Sequence, residues 1–173
     1  MKSKPNAFFR RTLPLFVSLC LLLSSLSACG TTPPPGDLLT RLLSATPSPP
    51  SGRLCCLFPQ NDGEHPLSDA LLASAFGEGS RPVAMDGVED AACYFSFRSA
   101  YEIDLFLCKS SATADAVEEM CLFRLRLLRR LRQEDAAAMA LLEQAEVLRH
   151  GPWVLLAVTS DPAAIRRAFL HET

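Results

Sequence analysis

The seven cysteines of this 173-residue chain are the side chains with the widest range of chemistry. Cys29 follows the small residues Ser27 and Ala28 at the end of an apolar run, where a thiol can be buried, paired in a disulfide or joined to lipid. Cys20 lies inside the apolar run itself. The remaining five are an odd number, so they cannot all pair with one another. They are Cys55, Cys56, Cys93, Cys108 and Cys121.

Adjacent cysteines at positions 55 and 56 have two interpretations. Two neighbouring thiols can bind a soft metal or act in a redox reaction. They can also be small apolar residues of the segment "LCCLF" that pack on the domain. The packing interpretation is the simpler of the two.

Sequence signatures of catalysis and of metal binding are absent. The chain has no GxSxG elbow, no HExxH, no phosphate-binding loop and no CxxC. Its three histidines, His65, His150 and His171, fall in a predicted loop, a turn and a chain end, with no ligand spacing around them. We therefore predict no catalytic residue, no metal and no cofactor.

A run of arginines is the strongest local concentration of charge, and leucines alternate with it. As the solvated end of a helix it needs no function. The functional alternative is contact with anionic lipid headgroups or with anionic wall polymers. The run consists of Arg124, Arg126, Arg129, Arg130 and Arg132.

Two carboxylates, Glu102 and Asp104, have the spacing of a pair on one face of a strand. Paired carboxylates can serve in acid–base catalysis. A cross-strand ion pair between Arg98 and Glu102 is the simpler explanation.

The charge distribution argues against a nucleic acid partner. The only charged residues before Cys29 are four of the 17 basic ones, which leaves 13 basic against 19 acidic residues in the rest of the chain, a formal charge of about −6. Binding to phosphate backbones depends on clustered positive charge, so nucleic acid is not expected as a partner.

Residues 1–28 have the three parts of a secretion signal in the required order. "MKSKPNAFFRR" is basic, "TLPLFVSLCLLLSSL" is apolar, and "SAC" offers small residues for processing. An apolar run of about 15 residues is short for a bilayer core that needs about 20, which disfavours a permanent span. The sequence "LSAC" at positions 26–29 resembles the lipobox of bacterial lipoproteins. The resemblance implies that the signal is removed and that the Cys29 thiol carries a diacylglyceryl group.

Residues 29–53 are predicted to be the lipidated cysteine and a proline-rich tether. The segment has six prolines together with Gly, Ser and Thr, a composition that favours extended, solvated chain. At about 3.1 Å per residue the tether could hold a domain up to roughly 70 Å from the membrane. Its one apolar patch, "DLLTRLL" at 37–43, could form one or two turns of an amphipathic helix that lies on the bilayer, but a mostly disordered linker is the simpler interpretation.

Residues 54–173 are predicted to form one domain in which helices and hairpins follow one another. "HPLSDALLASAFG" has a helical pattern, "ACYFSFRSAYEIDLFLC" that of a hairpin, and residues 110–133 and "EDAAAMALLEQA" those of two more helices. A second hairpin in "EVLRHGPWVLLAVT" and a last helix in "SDPAAIRRAFLHE" follow, with Trp153–Thr159 as the most buried strand.

The register of the first hairpin can be predicted on the assumption that one face of the sheet is apolar and the other is exposed to solvent. A three-residue loop at 99–101 meets this condition and places Cys93 and Cys108 on opposite faces, which excludes a disulfide between them. The predicted pairs are Phe97 with Ile103, Phe95 with Leu105 and Cys93 with Leu107.

The predicted fold class is α+β. A small antiparallel sheet of two hairpins is covered on one face by helices and follows a disordered signal and linker. The segments "AYEIDLFLCKSSATADAVEEM" and "EVLRHGPWVLLAVTSDPAAI", together with the lipobox, resemble the small lipoproteins of Gram-positive bacteria that carry a single α+β domain of unknown function. The resemblance implies a location and a fold but no chemistry.

Two functions are compatible with the sequence. The first is a lipid-anchored, extracytoplasmic lipoprotein of the cell membrane that is not an enzyme and binds an envelope protein or an anionic wall polymer. The alternative is a small envelope enzyme, such as a hydrolase, with a site assembled from scattered residues.

Overall fold

The computed structural model describes residues 32–173, which form five α-helices and one six-stranded, mostly antiparallel sheet. The predicted α+β class is confirmed. Residues 1–31, which include the predicted signal and Cys29, lie outside the described residues. No helix within 32–173 is both long enough and apolar enough to cross a bilayer.

The six strands lie in the order β2-β1-β3-β4-β6-β5, and only the β1–β2 contact is parallel. Within the described residues they are β1 (Gly52–Cys56), β2 (His65–Pro66), β3 (Val88–Ser96), β4 (Glu102–Cys108), β5 (Glu146–His150) and β6 (Trp153–Val158). The prediction that β6 is the most buried strand is confirmed, since all six of its residues are buried.

The helices are α1 (Pro35–Ser44), α2 (Asp69–Ala75), α3 (Ser111–Leu131), α4 (Ala136–Glu143) and α5 (Pro162–Glu172). Four of the five begin where a side-chain oxygen accepts a hydrogen bond from a backbone N–H three residues later, which satisfies a donor that the first turn leaves free. These capping residues are Ser68, Ser110, Asp135 and Asp161.

Helices cover both faces of the sheet, so the prediction of one covered face is wrong. Successive strand residues point to opposite faces: Phe106 of β4 enters one core, and its neighbour Leu105 enters the other. Apolar side chains of α2, α3 and α4 complete the first core, whereas α1 and α5 complete the second. The prediction failed because it treated the segment that forms α1 as a tether.

Helix α1 is part of the folded domain, so the predicted tether of residues 29–53 and the domain start at 54 are wrong. Leu38, Leu39 and Leu42 are fully buried against the sheet. The chain after α1 is also held, because the Tyr94 hydroxyl donates to the Pro50 carbonyl at 2.6 Å. The compact unit extends over Pro33–Thr173. Proline count misled the prediction, because Pro35 occupies the first turn, where a helix accepts proline.

The predicted register of the β3–β4 hairpin is also wrong. Cys93 pairs with Asp104 and Phe95 with Glu102, and a five-residue loop connects the strands. The prediction assumed that one face of the sheet is exposed to solvent, whereas helices cover both faces. Cys93 and Cys108 therefore face the same core, contrary to the prediction, and both are free thiols.

Candidate functional site

A buried ion pair between β4 and α3 is the most distinctive polar feature of the domain. Arg124 donates from Nε to Oε1 of Glu102 at 2.8 Å and from its terminal nitrogen to Oε2 at 2.7 Å. A third hydrogen bond reaches the Ala75 carbonyl at 3.3 Å, and the guanidinium lies 5.9 Å from the centre of the Phe76 ring. This two-pronged geometry fixes the C-terminal half of α3 against the first residue of β4.

Asp104 lies two residues along the same strand and is fully buried. Neither of its carboxylate oxygens has a hydrogen-bond partner within residues 32–173. Burial and the neighbouring charge of Glu102 raise the pKa of Asp104 well above its ordinary range. Of the two acids, the guanidinium therefore binds Glu102 alone, and the folded protein holds the Asp104 proton more tightly than the unfolded chain does.

Two thiols border this cluster. Cys93 is the cross-strand partner of Asp104, and Cys121 of α3 belongs to the same core. Burial, together with the charge of Asp104, raises the pKa of both thiols well above the ordinary value. Both are therefore protonated and unreactive, since the thiolate is the nucleophile. The cluster has the composition of a catalytic site, and the burial of its two acids and two thiols favours a structural role for it.

The structure corrects the sequence-based assignment of these residues. Glu102 pairs with Arg124, whereas the prediction paired it with Arg98. The arginine run is not one surface, since Arg124 points into the domain and Arg129 donates to the Leu142 carbonyl at 3.0 Å. Arg126, Arg130 and Arg132 are exposed.

A signal for Arg124 was present in the sequence. Buried residues of α3 recur at Cys121, Leu125 and Leu128, and Arg124 falls within that stripe at a spacing of three from Cys121 and four from Leu128. A charged residue inside an apolar stripe indicates a buried partner. The stripe does not extend to Leu131, which is 66% exposed because it ends the helix.

Stability should depend on pH through Asp104. Its raised pKa means that the folded state keeps a proton which the unfolded chain releases above about pH 4, so the free energy of unfolding falls as the pH rises from that value to the folded-state pKa, by at most about 1.4 kcal/mol per pH unit. Asp104→Asn has no such proton, so this fall in the free energy of unfolding with pH should be absent from the variant. Urea unfolding between pH 5 and 8, followed by Trp153 fluorescence, measures it.

The exposed residue Asp62 provides the control. The difference in the free energy of unfolding between Asp62→Asn and the parent protein should stay constant over the same pH range. A parallel pH dependence of the free energy of unfolding in the parent protein and in Asp104→Asn would contradict the raised pKa of Asp104.

A second polar cluster lies where α1 begins. Cys56, Glu64 and Asp90 line a cavity of about 10 Å³, which holds no more than one water molecule. Burial, followed by the charge of Glu64, raises the pKa of Cys56 to about 12. Within residues 32–173 no three His, Cys, Asp or Glu side chains are grouped so that they could hold a metal ion.

Cys55 and Cys56 do not form a joint site. Neighbouring strand residues point to opposite faces, and Cys55 lies in the core under α2 and α3 while Cys56 lies in the core under α1. Both are free thiols with exposures of 1% and 3%. The two thiols therefore pack as small apolar side chains.

Comparisons with known proteins identify no relative. No family model, no curated protein and no solved structure matches the chain. The arguments for function therefore rest on the sequence and on the geometry described above.

Proposed function

We propose that this protein is a lipoprotein anchored through Cys29 at the extracytoplasmic side of the cell membrane, where its domain acts as a binding module without enzymatic activity. The observation that carries the proposal is the sequence "LSAC" at the end of a basic and apolar leader, directly before a folded unit. The partner is an envelope protein or an anionic wall polymer.

The position of the domain boundary supports a close attachment. The folded unit begins at Pro33, four residues after Cys29. Four fully extended residues span at most about 14 Å, so an acylated Cys29 would hold the domain close to the bilayer. This reach is a fifth of the roughly 70 Å that a disordered tether of residues 30–53 would allow.

Burial explains how free thiols could persist at the proposed extracytoplasmic location. All five cysteines within residues 32–173 are free, and their exposures are 3% or less. Free thiols persist in an oxidising compartment when burial keeps them protonated and inaccessible. Burial raises the pKa of Cys108 to about 11, and the pKa values of the other four are raised as well.

Lipidation should be lost in Cys29→Ala and retained in Cys20→Ala. Both variants remove one cysteine from the N-terminal 31 residues, but only Cys29 occupies the lipobox position. Growth of expressing bacteria with an alkyne-tagged fatty acid, followed by fluorophore coupling and gel electrophoresis, measures the acylation. We expect the parent protein and Cys20→Ala to be labelled equally and Cys29→Ala to be unlabelled.

Phase partition in a cloud-point detergent gives an independent measurement of the same prediction. Two acyl chains should carry the parent protein into the detergent phase, because each buried CH₂ contributes about 0.8 kcal/mol. Label on Cys29→Ala, or no label on the parent protein, would refute the anchor.

A further inference from the structure

The two edge strands of the sheet, β2 and β5, differ in what they offer to a further strand. Strand β2 has only two residues, His65 and Pro66, and proline has no N–H to donate, so this edge is poorly suited to pairing. Strand β5 has five residues, and within residues 32–173 its backbone forms hydrogen bonds with the backbone of β6 alone. We infer that β5 pairs antiparallel with β5 of a second copy of this chain, which joins the two sheets into one.

The backbone groups that point away from β6 belong to Val147 and Arg149. The β5–β6 hairpin has a two-residue turn at 151–152, and His150 pairs with Trp153 across it. Residues that flank such a turn share a hydrogen bond, and hydrogen-bonded and non-hydrogen-bonded pairs alternate along an antiparallel ladder. Every second residue of β5 from His150 therefore bonds to β6. The residues between them direct their N–H and C=O groups to the free side of β5, which we call the open edge.

Three side chains of β5 face α5. Nε of Arg166 donates to Oε2 of Glu146 at 3.0 Å, and Nδ1 of His150 lies 2.9 Å from the Thr173 hydroxyl oxygen. Leu148, midway between them on the strand, packs in the core that α1 and α5 complete. The α5 side of the open edge therefore has, in order, an acid, a leucine and a histidine.

This order is complementary to itself about Leu148. When Leu148 lies opposite the partner's Leu148, Glu146 lies opposite the partner's His150, a pair that attracts when the imidazole is protonated. On the other face of the sheet, Val147 lies opposite the partner's Arg149. Both of these residues direct their backbone groups to the open edge, so each such pair exchanges two backbone hydrogen bonds.

The neighbouring registers lack this complementarity. A pairing centred on Val147 would place Leu148 opposite the partner's Glu146, an apolar side chain against a carboxylate. A pairing centred on Arg149 would place two guanidinium groups opposite each other, and like charges in that position are destabilising. The register centred on Leu148 is therefore favoured, and it is one that a second copy of β5 satisfies on both sides.

Helix α5 leaves an apolar side chain beside the open edge. Leu170 is 50% exposed and lies one helical turn after Arg166, on the side of α5 that reaches β5. The two-fold axis through Leu148 is perpendicular to the joined sheet, so α5 of both copies lies on the same face. A second copy can thus cover Leu170, in the closed two-fold symmetry that is commonest among oligomers.

Cysteine cross-linking of the full chain in micelles of an uncharged detergent tests this register. All variants carry Cys20→Ala and Cys29→Ala, and the five remaining cysteines have exposures of 3% or less. Leu148→Cys should form a disulfide-linked dimer on mild oxidation. Opposite residues of a non-hydrogen-bonded pair have Cα atoms about 4.5 Å apart, a separation that a disulfide accepts. Non-reducing gel electrophoresis measures the dimer.

His150→Cys and Glu146→Cys are the matched controls. Residue 150 is more exposed than residue 148, but the two copies of residue 150 would lie about 14 Å apart along the strands, too far for a disulfide. The same separation applies to the two copies of residue 146. Each control alone should therefore stay monomeric on the gel. Co-expression of the two should give a cross-linked dimer, because residues 146 and 150 lie opposite each other, and this arm leaves Leu148 intact.

Sedimentation equilibrium in density-matched detergent measures the same association with β5 unaltered, and we expect the mass of two chains. A single-chain mass would overturn the inference. So would the absence of a dimer from both Leu148→Cys and the co-expressed pair, or equal cross-linking of the three single variants.

The pairing goes beyond the proposed lipid anchor and does not depend on it. The cross-linking variants lack Cys29, so a negative result leaves the anchor untouched. Failure of the Cys29 labelling, conversely, would remove the anchor while the β5 cross-link could still be measured.

Discussion

Replacing Arg124 by methionine lowers the free energy of unfolding by about 3–5 kcal/mol in our account. The variant leaves the Glu102 carboxylate, which is 4% exposed and lies beside the fully buried Asp104, with no cation to balance its charge. Domains of this size have about 5–15 kcal/mol in total, so the loss removes a large part of the stability. Urea unfolding followed through Trp153, the single tryptophan, measures it.

Two further variants separate charge from packing at this position. Arg126→Met, on the same helix but exposed, should change the free energy of unfolding by no more than about 0.5 kcal/mol. In a background of Glu102→Gln, Arg124→Met should lower the free energy of unfolding by less. The charge of Glu102, which Arg124→Met would leave buried without a partner, is already absent from this background. Equal effects of Arg124→Met and Arg126→Met would show that the ion pair does not hold α3 against β4.

Leu39→Ala should lower the free energy of unfolding by about 2–5 kcal/mol, the usual cost of a cavity at a fully buried leucine. Leu39 belongs to α1, and its side chain lies in the core between α1, α5 and the sheet. The measurement is again urea unfolding of the purified protein. It tests directly whether residues 35–44 belong to the folded domain.

The neighbouring residue provides the matched control for α1. Thr40 is exposed, and Thr40→Ala should change the stability by no more than about 0.5 kcal/mol. If residues 35–44 belonged to a solvated tether, neither Leu39→Ala nor Thr40→Ala would change the free energy of unfolding. A silent Leu39→Ala would therefore restore the tether of residues 29–53 and remove the argument for a domain held close to its anchor.

Local patterns in the sequence were sufficient to predict most elements and their order. The helical patterns of residues 110–133 and "SDPAAIRRAFLHE" and the apolar run from Trp153 identified two helices and the most buried strand, because these signals depend on neighbouring residues. Features that depend on distant contacts were missed. Strand β1 and its parallel partner β2 lie within segments that have no alternating pattern of their own.

The largest error came from one decision with consequences elsewhere. Counting prolines assigned α1 to a tether, which left one face of the sheet without a cover. The assumption that one face is exposed to solvent then led to the wrong register for β3 and β4. In that register Glu102 was paired with Arg98. The buried ion pair with Arg124 joins residues 22 positions apart, and only the assembled fold brings them together.

The central claim is that Cys29 is the acylated first residue of a domain that begins four residues later. Mass spectrometry of the N-terminal peptide from the membrane-bound protein tests it most directly. We expect a peptide that begins at Cys29 and carries the added mass of a diacylglyceryl group. An unmodified Cys29 inside a longer peptide, or a mature chain that begins at another residue, would contradict the account.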